Sequence, residues 1–254
     1  MCGIAGLIQF KGDAEKNIRK MNDRMLHRGP DDGGIYISDD RRVALGHRRL
    51  AIVDLSKNGA QPMKSHSEKS VIIYNGEIYN AAEVKELLLA DASSKGIDIG
   101  PFRGTSDTEV LVEAIEHFGM KRALSLCKGM FAIAVYDLEK GTISFARDRV
   151  GEKPLYYGNV AGAFAFASDI GCLRVVDGFD NEINTDVLDM YFEEGYIPAP
   201  YSIYKGINKL EPGTILTLNV ETLQTQSEVY WSMAEAAKKG PEQYFYRQQK
   251  RSGR

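Results

Sequence analysis

The sequence predicts an α+β fold in which antiparallel sheets are layered with amphipathic helices. Short apolar segments bounded by turn residues recur along the chain, and several of them are joined as hairpins. A few other segments carry apolar residues at helical spacing. Because the strands occur in hairpins and not in regular alternation with helices, antiparallel sheets are favoured over a doubly wound parallel sheet.

The elements of the first half follow from these patterns. The glycine-bounded apolar run at residues 3–10 predicts a buried strand, and the spacing of Ile18, Met21 and Met25 predicts a helix over 14–28. Ser106-Asp107-Thr108-Glu109 has the pattern of a capping box at the start of another amphipathic helix. Further strands are expected at residues 35–38, 43–45, 50–53 and 71–74, and a helix is expected at 82–89.

The second half continues with hairpins. The nearly continuous apolar run at residues 130–138 predicts a strand covered on both faces, and a turn at 139–141 leads into a strand at 142–147. A short helix is expected at 121–127, hairpins at 155–168 and 214–231, and a helix at 185–194.

The boundary of the domain is predicted from the loss of periodicity. We expect one domain over residues 2–231. From residue 238 onward the chain carries six basic side chains and one acid, so residues 232–254 are expected to form a basic, disordered tail or a truncated linker.

The composition excludes several function classes. The chain has 254 residues with 32 basic and 35 acidic side chains, which gives no strong field for nucleic acid. No apolar stretch reaches the ~18 residues of a membrane span, and the N-terminus lacks the basic region of a signal peptide. Three scattered cysteines and four histidines predict neither a disulfide framework nor a metal site. We therefore expect a cytoplasmic protein that binds no nucleic acid, membrane or metal.

Cys2 is the first candidate for chemistry. A small residue after the initiator methionine permits removal of that methionine, which would give Cys2 a free α-amine. A free thiol ordinarily has a pKa of about 8.5 and an α-amine one of about 7.7–8.0. The amine can then take the thiol proton near neutral pH, as in other terminal-amine nucleophiles. The alternative is that a cysteine at position 2 is incidental. Taken alone, the presence of Cys2 favours this alternative.

Asn75-Gly76-Glu77, which follows a predicted strand, has two interpretations. Asn-Gly is the strongest short signal for a hairpin turn, and the local sequence favours that interpretation. The alternative is an oxyanion hole, in which the Asn75 carboxamide and the Gly76 N–H donate to one developing negative oxygen.

Arg49 and Asp107 are also ambiguous. Arg49 begins an apolar segment, where arginines are usually solvated, but its guanidinium could hold a carboxylate with two hydrogen bonds. Asp107 lies in the first turn of a helix, where an acid complements the helix dipole, but it could pair with a substrate ammonium group.

A set of motifs gives the chain a family resemblance. They are Met1-Cys2-Gly3-Ile4-Ala5-Gly6, His27-Arg28-Gly29-Pro30-Asp31, residues 47–54 (HRRLAIVD), residues 74–80 (YNGEIYN) and Ser106-Asp107-Thr108-Glu109. Together they resemble the glutaminase domain of glutamine-hydrolysing asparagine synthetases, which are class II glutamine amidotransferases. Residues 146–157 and 203–213 resemble asparagine synthetases more than the phosphoribosyl or fructose-phosphate amidotransferases.

The resemblance, which covers nearly all of residues 2–231, implies a fold and a set of roles. The fold is the N-terminal-nucleophile hydrolase, a four-layer αββα sandwich with two antiparallel sheets. Cys2 attacks the carboxamide of L-glutamine, and Asn75 and Gly76 stabilise the oxyanion. The substrate-binding residues implied are Arg49 for the α-carboxylate, Asp107 with Glu77 nearby for the α-ammonium, and the backbone of Leu50, Ala51, Ile52 and Val53.

The resemblance also implies partners outside this chain. Glutamine hydrolysis itself needs no cofactor, whereas ATP and Mg²⁺ would belong to a synthetase domain that amidates aspartate and has no counterpart in these residues. That domain would act in cis or in trans, and a homodimer is possible. Two alternatives remain: a catalytically silent glutamine-binding or regulatory fragment, and an amidotransferase for another carboxylate such as a cell-surface sugar.

Overall fold

The computed structural model describes residues 1–238 of the chain. The strands are β1 (Gly3–Ile8), β2 (Asp32–Ile37), β3 (Val43–Arg49), β4 (Met63–Lys64), β5 (Ser70–Ile78), β6 (Gly129–Asp137), β7 (Thr142–Arg147), β8 (Tyr156–Val160), β9 (Ala163–Ala167), β10 (Ile207–Lys209), β11 (Thr214–Asn219) and β12 (Thr225–Val229). The α-helices are α1 (Ala14–Arg24), α2 (Ala81–Ser94), α3 (Asp107–Phe118), α4 (Met120–Leu126), α5 (Ile170–Leu173) and α6 (Leu188–Glu194). Short 3₁₀ helices cover Lys57–Gly59 and Thr185–Val187.

Two six-stranded antiparallel sheets form the centre of the fold. The first has the strand order β10-β8-β9-β1-β3-β2 and the second β12-β11-β7-β6-β5-β4. An apolar layer fills the space between the sheets, α1 and α5 cover the outer face of the first sheet, and α2, α3 and α4 cover the second. This arrangement confirms the predicted αββα sandwich with two antiparallel sheets.

The two strands that matter for the site face each other across the sandwich. β1 is buried along its whole length, because it lies between β3 and β9 and is covered on both faces. β5 lies between β4 and β6, and it contacts β1 from the second sheet. Side chains alternate along β5, so Ile73 and Asn75 point towards the first sheet while Tyr74 points towards the helices.

Two sequence predictions about local structure are wrong. Residues 50–53 are irregular and form no strand, because the N–H groups of Leu50 and Ala51 donate to the side chains of Cys2 and Asp31 and not to a neighbouring strand. Asn75-Gly76 is not a hairpin turn, because both residues lie within β5 and are paired with β6.

The predicted capping box at Ser106 is half correct. Ser106 caps α3 by accepting a hydrogen bond from Thr108 N at 3.2 Å. Glu109 instead accepts hydrogen bonds from Arg103 and Gly104 and from the ring of His66, so its carboxylate braces the loop before the helix. The sequence did not predict β4, β10 or α5, because elements of two to four residues are too short to show a periodic pattern.

Little of the predicted tail can be compared with the structure. Residues 233–238 are helical, and Ser232 accepts a hydrogen bond from Glu235 N at their start. Residues 239–254 lie outside the described residues, so the tail stays a prediction. In residues 1–238, none of the helices combines the length and the apolar character of a membrane span.

Candidate active site

A cavity of about 150 Å³ lies between the start of β1, the loop after β3, the centre of β5 and the start of α3. Nine of the ten site residues predicted from sequence line it: Cys2, Arg49, Leu50, Ile52, Val53, Asn75, Gly76, Glu77 and Asp107. Ala51 does not line it, because its N–H is turned towards the carboxylate of Asp31 at 2.8 Å. The fold therefore brings together residues that are up to 105 positions apart in the chain.

The thiol of Cys2 contacts the backbone of Leu50. Its Sγ lies 3.4 Å from Leu50 N and 3.7 Å from Leu50 O, so it can accept from the N–H and donate to the carbonyl. Arg28 holds the backbone on either side: its Nε donates to Cys2 O at 3.1 Å, and its carbonyl accepts from the Met1 amine at 3.0 Å. The position of the thiol is thus fixed by the loop that follows β3.

Met1 forms part of the cavity wall. Its Sδ lies 3.6 Å from Nζ of Lys153, a largely buried lysine that also lines the cavity. Removal of Met1 would therefore enlarge the cavity next to Cys2 and leave the Lys153 ammonium facing it.

Gly76 supplies a backbone donor on the cavity side of β5. In this part of β5 the N–H groups of alternate residues point away from β6: Tyr74 N donates to Gln61 Oε1 at 2.6 Å, and Ile78 N donates to Asp107 Oδ2 at 2.9 Å. Gly76 lies between them, so its N–H points to the same side. A Cβ at Gly76 would overlap the carbonyl oxygen of Met130, which explains why the position needs glycine.

Asn75 presents its carboxamide to the layer between the sheets. Its side chain is 1% exposed, and Nδ2 makes only a long hydrogen bond of 3.5 Å to Ser168 Oγ. Ser168 in turn is fixed to β1, because its Oγ accepts from Ile4 N at 3.1 Å and its N–H donates to Ile4 O at 2.8 Å. The amide of Asn75 on β5 therefore faces β1, the strand that directly follows Cys2.

Arg49 and Asp107, a buried cation and a buried anion, face the same cavity. Arg49 is 8% exposed and donates to the carbonyls of Ser56 and Asp54, so its guanidinium is held by the loop after β3. Asp107 is 9% exposed, and its Oδ2 accepts hydrogen bonds from Tyr74 OH at 2.8 Å and Ile78 N at 2.9 Å. Burial raises the pKa of Asp107, and those two hydrogen bonds oppose the increase.

His47 connects the two sheets beneath the cavity. It lies in β3 opposite Ile4 of the first sheet, and its Nε2 is 3.2 Å from the carbonyl oxygen of Tyr74 in the second sheet. Because a carbonyl only accepts, Nε2 carries the proton. Complete burial lowers the pKa of His47 to about 4, so the ring is neutral at pH 7.

The other two cysteines play no part in this cavity. Cys127 and Cys172 are buried in separate apolar clusters, and burial raises the pKa of each thiol to about 12. All three cysteines are free. Within residues 1–238 no cluster of three metal-ligating side chains is present.

The polar residues of the site that sequence reasoning missed include Gln61, Tyr74, Lys153 and Ser168. Tyr74 begins the motif at residues 74–80, but it ends an apolar segment and has the ordinary appearance of a core residue. Lys153 belongs to the motif at residues 146–157, whose resemblance to asparagine synthetases implies no role for this side chain. Gln61 and Ser168 have no local sequence signal at all, because their contacts are with residues far away in the chain.

Comparison with known proteins identifies the family. Residues 1–231 match the family model described as "Glutamine amidotransferase domain". The chain belongs to this glutamine amidotransferase family. It is 38% identical over 252 residues to a putative glutamine-hydrolysing asparagine synthetase of Methanocaldococcus jannaschii, covering 92% of this chain and 47% of that protein. It is 37% identical over 223 residues to glutamine-hydrolysing asparagine synthetase 1 of Bacillus subtilis, covering 86% of this chain and 33% of that protein.

The amidotransferase chain thus spans about half the length, or less, of the curated relatives it matches. Its fold is also similar to a solved structure of glutamine phosphoribosylpyrophosphate amidotransferase from Bacillus subtilis, with a TM-score of 0.67 and 21% identity over 91% of this chain and 49% of that chain. A structure described as the allosteric regulatory enzyme of purine biosynthesis gives a TM-score of 0.68, also at 21% identity, over 91% of this chain and 49% of that chain. The fold is that of the N-terminal-nucleophile hydrolase amidotransferases, as the sequence resemblance implied.

Proposed function

We propose that this amidotransferase domain hydrolyses L-glutamine to glutamate and ammonia, with Cys2 as the N-terminal nucleophile after removal of Met1. The observation that carries the proposal is that one cavity contains a thiol, a buried cation, a buried anion and the Asn75-Gly76 pair. Glutamine is a zwitterion with a neutral side-chain amide, so these four features match all of its polar groups. The roles of the individual residues are part of the proposal.

The reaction would proceed through a thioester. The α-amine of Cys2 takes the thiol proton, and the sulfur attacks the carboxamide carbon of glutamine. The carbonyl oxygen becomes an oxyanion that accepts hydrogen bonds from Asn75 Nδ2 and Gly76 N. When the carbonyl reforms, the C–N bond breaks and the ammonium of Cys2 protonates the leaving ammonia. Water then attacks the thioester, which releases glutamate and returns a proton to the thiol.

Recognition of the substrate would depend on charge. Arg49 binds the α-carboxylate with parallel hydrogen bonds, and Asp107, with Glu77 nearby, binds the α-ammonium. The backbone of residues 50–53 would complete the binding site. Leu50, Ile52 and Val53 line the cavity, whereas Ala51 does not. Because two opposite charges fix both ends of the amino acid, the reacting amide is held close to Cys2.

The ammonia would be used by a synthetase domain supplied in cis or in trans. Support comes from the relatives, which are named asparagine synthetases and extend well beyond the length that this chain covers. We propose that the synthetase domain binds ATP, Mg²⁺ and aspartate, whereas the glutaminase reaction of this chain needs no cofactor and no metal. We also propose a cytoplasmic location, which the three free cysteines support, and assembly as a homodimer.

The test combines intact-mass spectrometry with a glutamate-release assay on one purified sample. We expect the mass to lack one methionine and the protein to release glutamate from glutamine. The Cys2→Ala variant should lose turnover, because no nucleophile remains, while it still binds glutamine in a calorimeter. Turnover in Cys2→Ala would remove Cys2 from the mechanism, and glutamine binding without turnover in the wild-type protein would indicate a silent binding domain.

A further inference from the structure

Tyr74 connects strand β5, which carries Asn75 and Gly76, with Asp107 at the start of α3. Its side chain is 2% exposed and packs in the apolar cluster between β5 and the helices, so the direction of its hydroxyl is fixed. The hydroxyl donates to Asp107 Oδ2 at 2.8 Å. Its backbone is fixed as well, because Tyr74 N donates to Gln61 Oε1 at 2.6 Å and Tyr74 O accepts from His47 at 3.2 Å.

We propose that Tyr74 is a positioning residue that makes the site selective for amides bearing an α-ammonium group. It acts through Asp107: the phenol holds the carboxylate in one orientation and favours its ionised form. This inference rests on the proposed function, because Asp107 is taken as the partner of the α-ammonium. It adds to that function a residue that determines which amides are accepted.

The chemistry of the donor explains why a tyrosine suits this place. Asp107 is almost completely buried, and in the described part of the chain no lysine, arginine or histidine forms an ion pair with it. A lysine or arginine in place of the phenol would neutralise the carboxylate and compete with the substrate. A neutral O–H stabilises the negative charge and leaves it available for the ammonium of the ligand.

Burial and a neighbouring carboxylate oppose the ionisation of Asp107, so the hydrogen bond from the Tyr74 phenol is needed to keep it charged. The ionisable groups that face the pair are Glu77, whose charge opposes ionisation of Asp107, and Cys127, whose thiol is neutral at pH 7. The Ile78 N–H is the other donor to Oδ2. Removal of the phenol would leave Oδ2 with this one donor beside a second carboxylate, and the protonated form of Asp107 would become more favourable.

The test compares two ligands that differ by one group. L-Glutamine carries the α-ammonium, whereas 4-carbamoylbutanoate has the same carboxylate and amide without it. Both ligands are titrated calorimetrically into the Cys2→Ala protein, which cannot turn over, with and without Tyr74→Phe. We expect the change to weaken glutamine binding about tenfold, the lower end of the range for a hydrogen bond to a charged group. The affinity for 4-carbamoylbutanoate should stay within twofold.

Two further variants exclude a general effect on the fold. Tyr230→Phe removes another phenol that donates a hydrogen bond, to Arg147 O at 2.9 Å and outside the cavity, and it should change neither affinity. In an Asp107→Asn background the residue no longer carries a charge, so Tyr74→Phe should have no additional effect on glutamine binding.

The outcomes separate the inference from the proposed function. Equal loss for both ligands, or no loss for either, overturns the role of Tyr74. A selective loss for glutamine supports it even if the wild-type protein releases no glutamate, in which case only the proposed catalysis fails. Failure of the Cys2→Ala protein to bind glutamine at all overturns both.

Discussion

Replacement of Asn75 by alanine tests the oxyanion hole directly. In the structure the carboxamide makes one hydrogen bond, at 3.5 Å to Ser168, while the backbone of Asn75 is paired with Ala132 in β6. The change therefore removes a long hydrogen bond and leaves the sheet intact, so we expect a loss of unfolding free energy of about 1 kcal/mol or less. Loss of one oxyanion donor costs about 2.7–4 kcal/mol in the transition state, which corresponds to a 10²- to 10³-fold lower kcat.

The assay measures kcat and KM for glutamate release together with urea unfolding. KM should change little, because the ground-state amide gains less from Asn75 than the oxyanion does. Asn208→Ala, in strand β10 and outside the cavity, is the matched control and should retain the wild-type kcat. A kcat of Asn75→Ala within threefold of the wild-type value, with the fold intact, would refute the assignment of Asn75.

Two further predictions concern Arg49 and His47. Arg49→Lys keeps the positive charge, but a lysine cannot donate to the carbonyls of Ser56 and Asp54 and to a carboxylate at once. The KM for glutamine should therefore rise at least tenfold, with a smaller change in kcat. An unchanged KM would contradict the carboxylate role of Arg49. For His47, burial lowers the pKa to about 4 from an ordinary ~6.5, so the unfolded state binds more protons between these values and stability falls as pH falls through this window. The loss should total ~3 kcal/mol by pH 4, measured by urea unfolding. His47→Gln should lack that part of the pH dependence, and identical pH profiles for both proteins would contradict it.

The fold could be predicted where burial alone determines structure. Residues 130–138 are apolar because both faces of β6 are covered, and the observed strand, Gly129–Asp137, differs by one residue at each end. The turn at 139–141 and the hairpins followed from glycine and polar residues at the expected places. These signals are local, so the sequence contains them completely.

The prediction failed where the local signal conflicts with a distant contact. Residues 50–53 read as an apolar strand, yet Ile52 is 71% exposed and forms part of the cavity wall. The local conformation depends on Cys2 and Asp31, which are 48 and 20 positions away. Asn-Gly likewise favours a turn in isolation, but pairing of β5 with β6 along nine residues outweighs that preference.

The candidate site shows the same division. Cys2, Arg49 and Asp107 could be named because they carry chemistry that a resemblance identifies. Their supporting residues could not, because the motif that contains Tyr74 does not show that its hydroxyl contacts Asp107, 33 positions away. Contacts of this kind exist only in the folded chain.

The unequal environments of the three thiols have a practical consequence. Two of them are sealed in apolar clusters and remain protonated at neutral pH, whereas the third borders the cavity. A thiol-directed fluorophore or electrophile added to the native protein should therefore attach at a single position. Protection of that position by a bound ligand would therefore report occupancy of the cavity without any engineered cysteine.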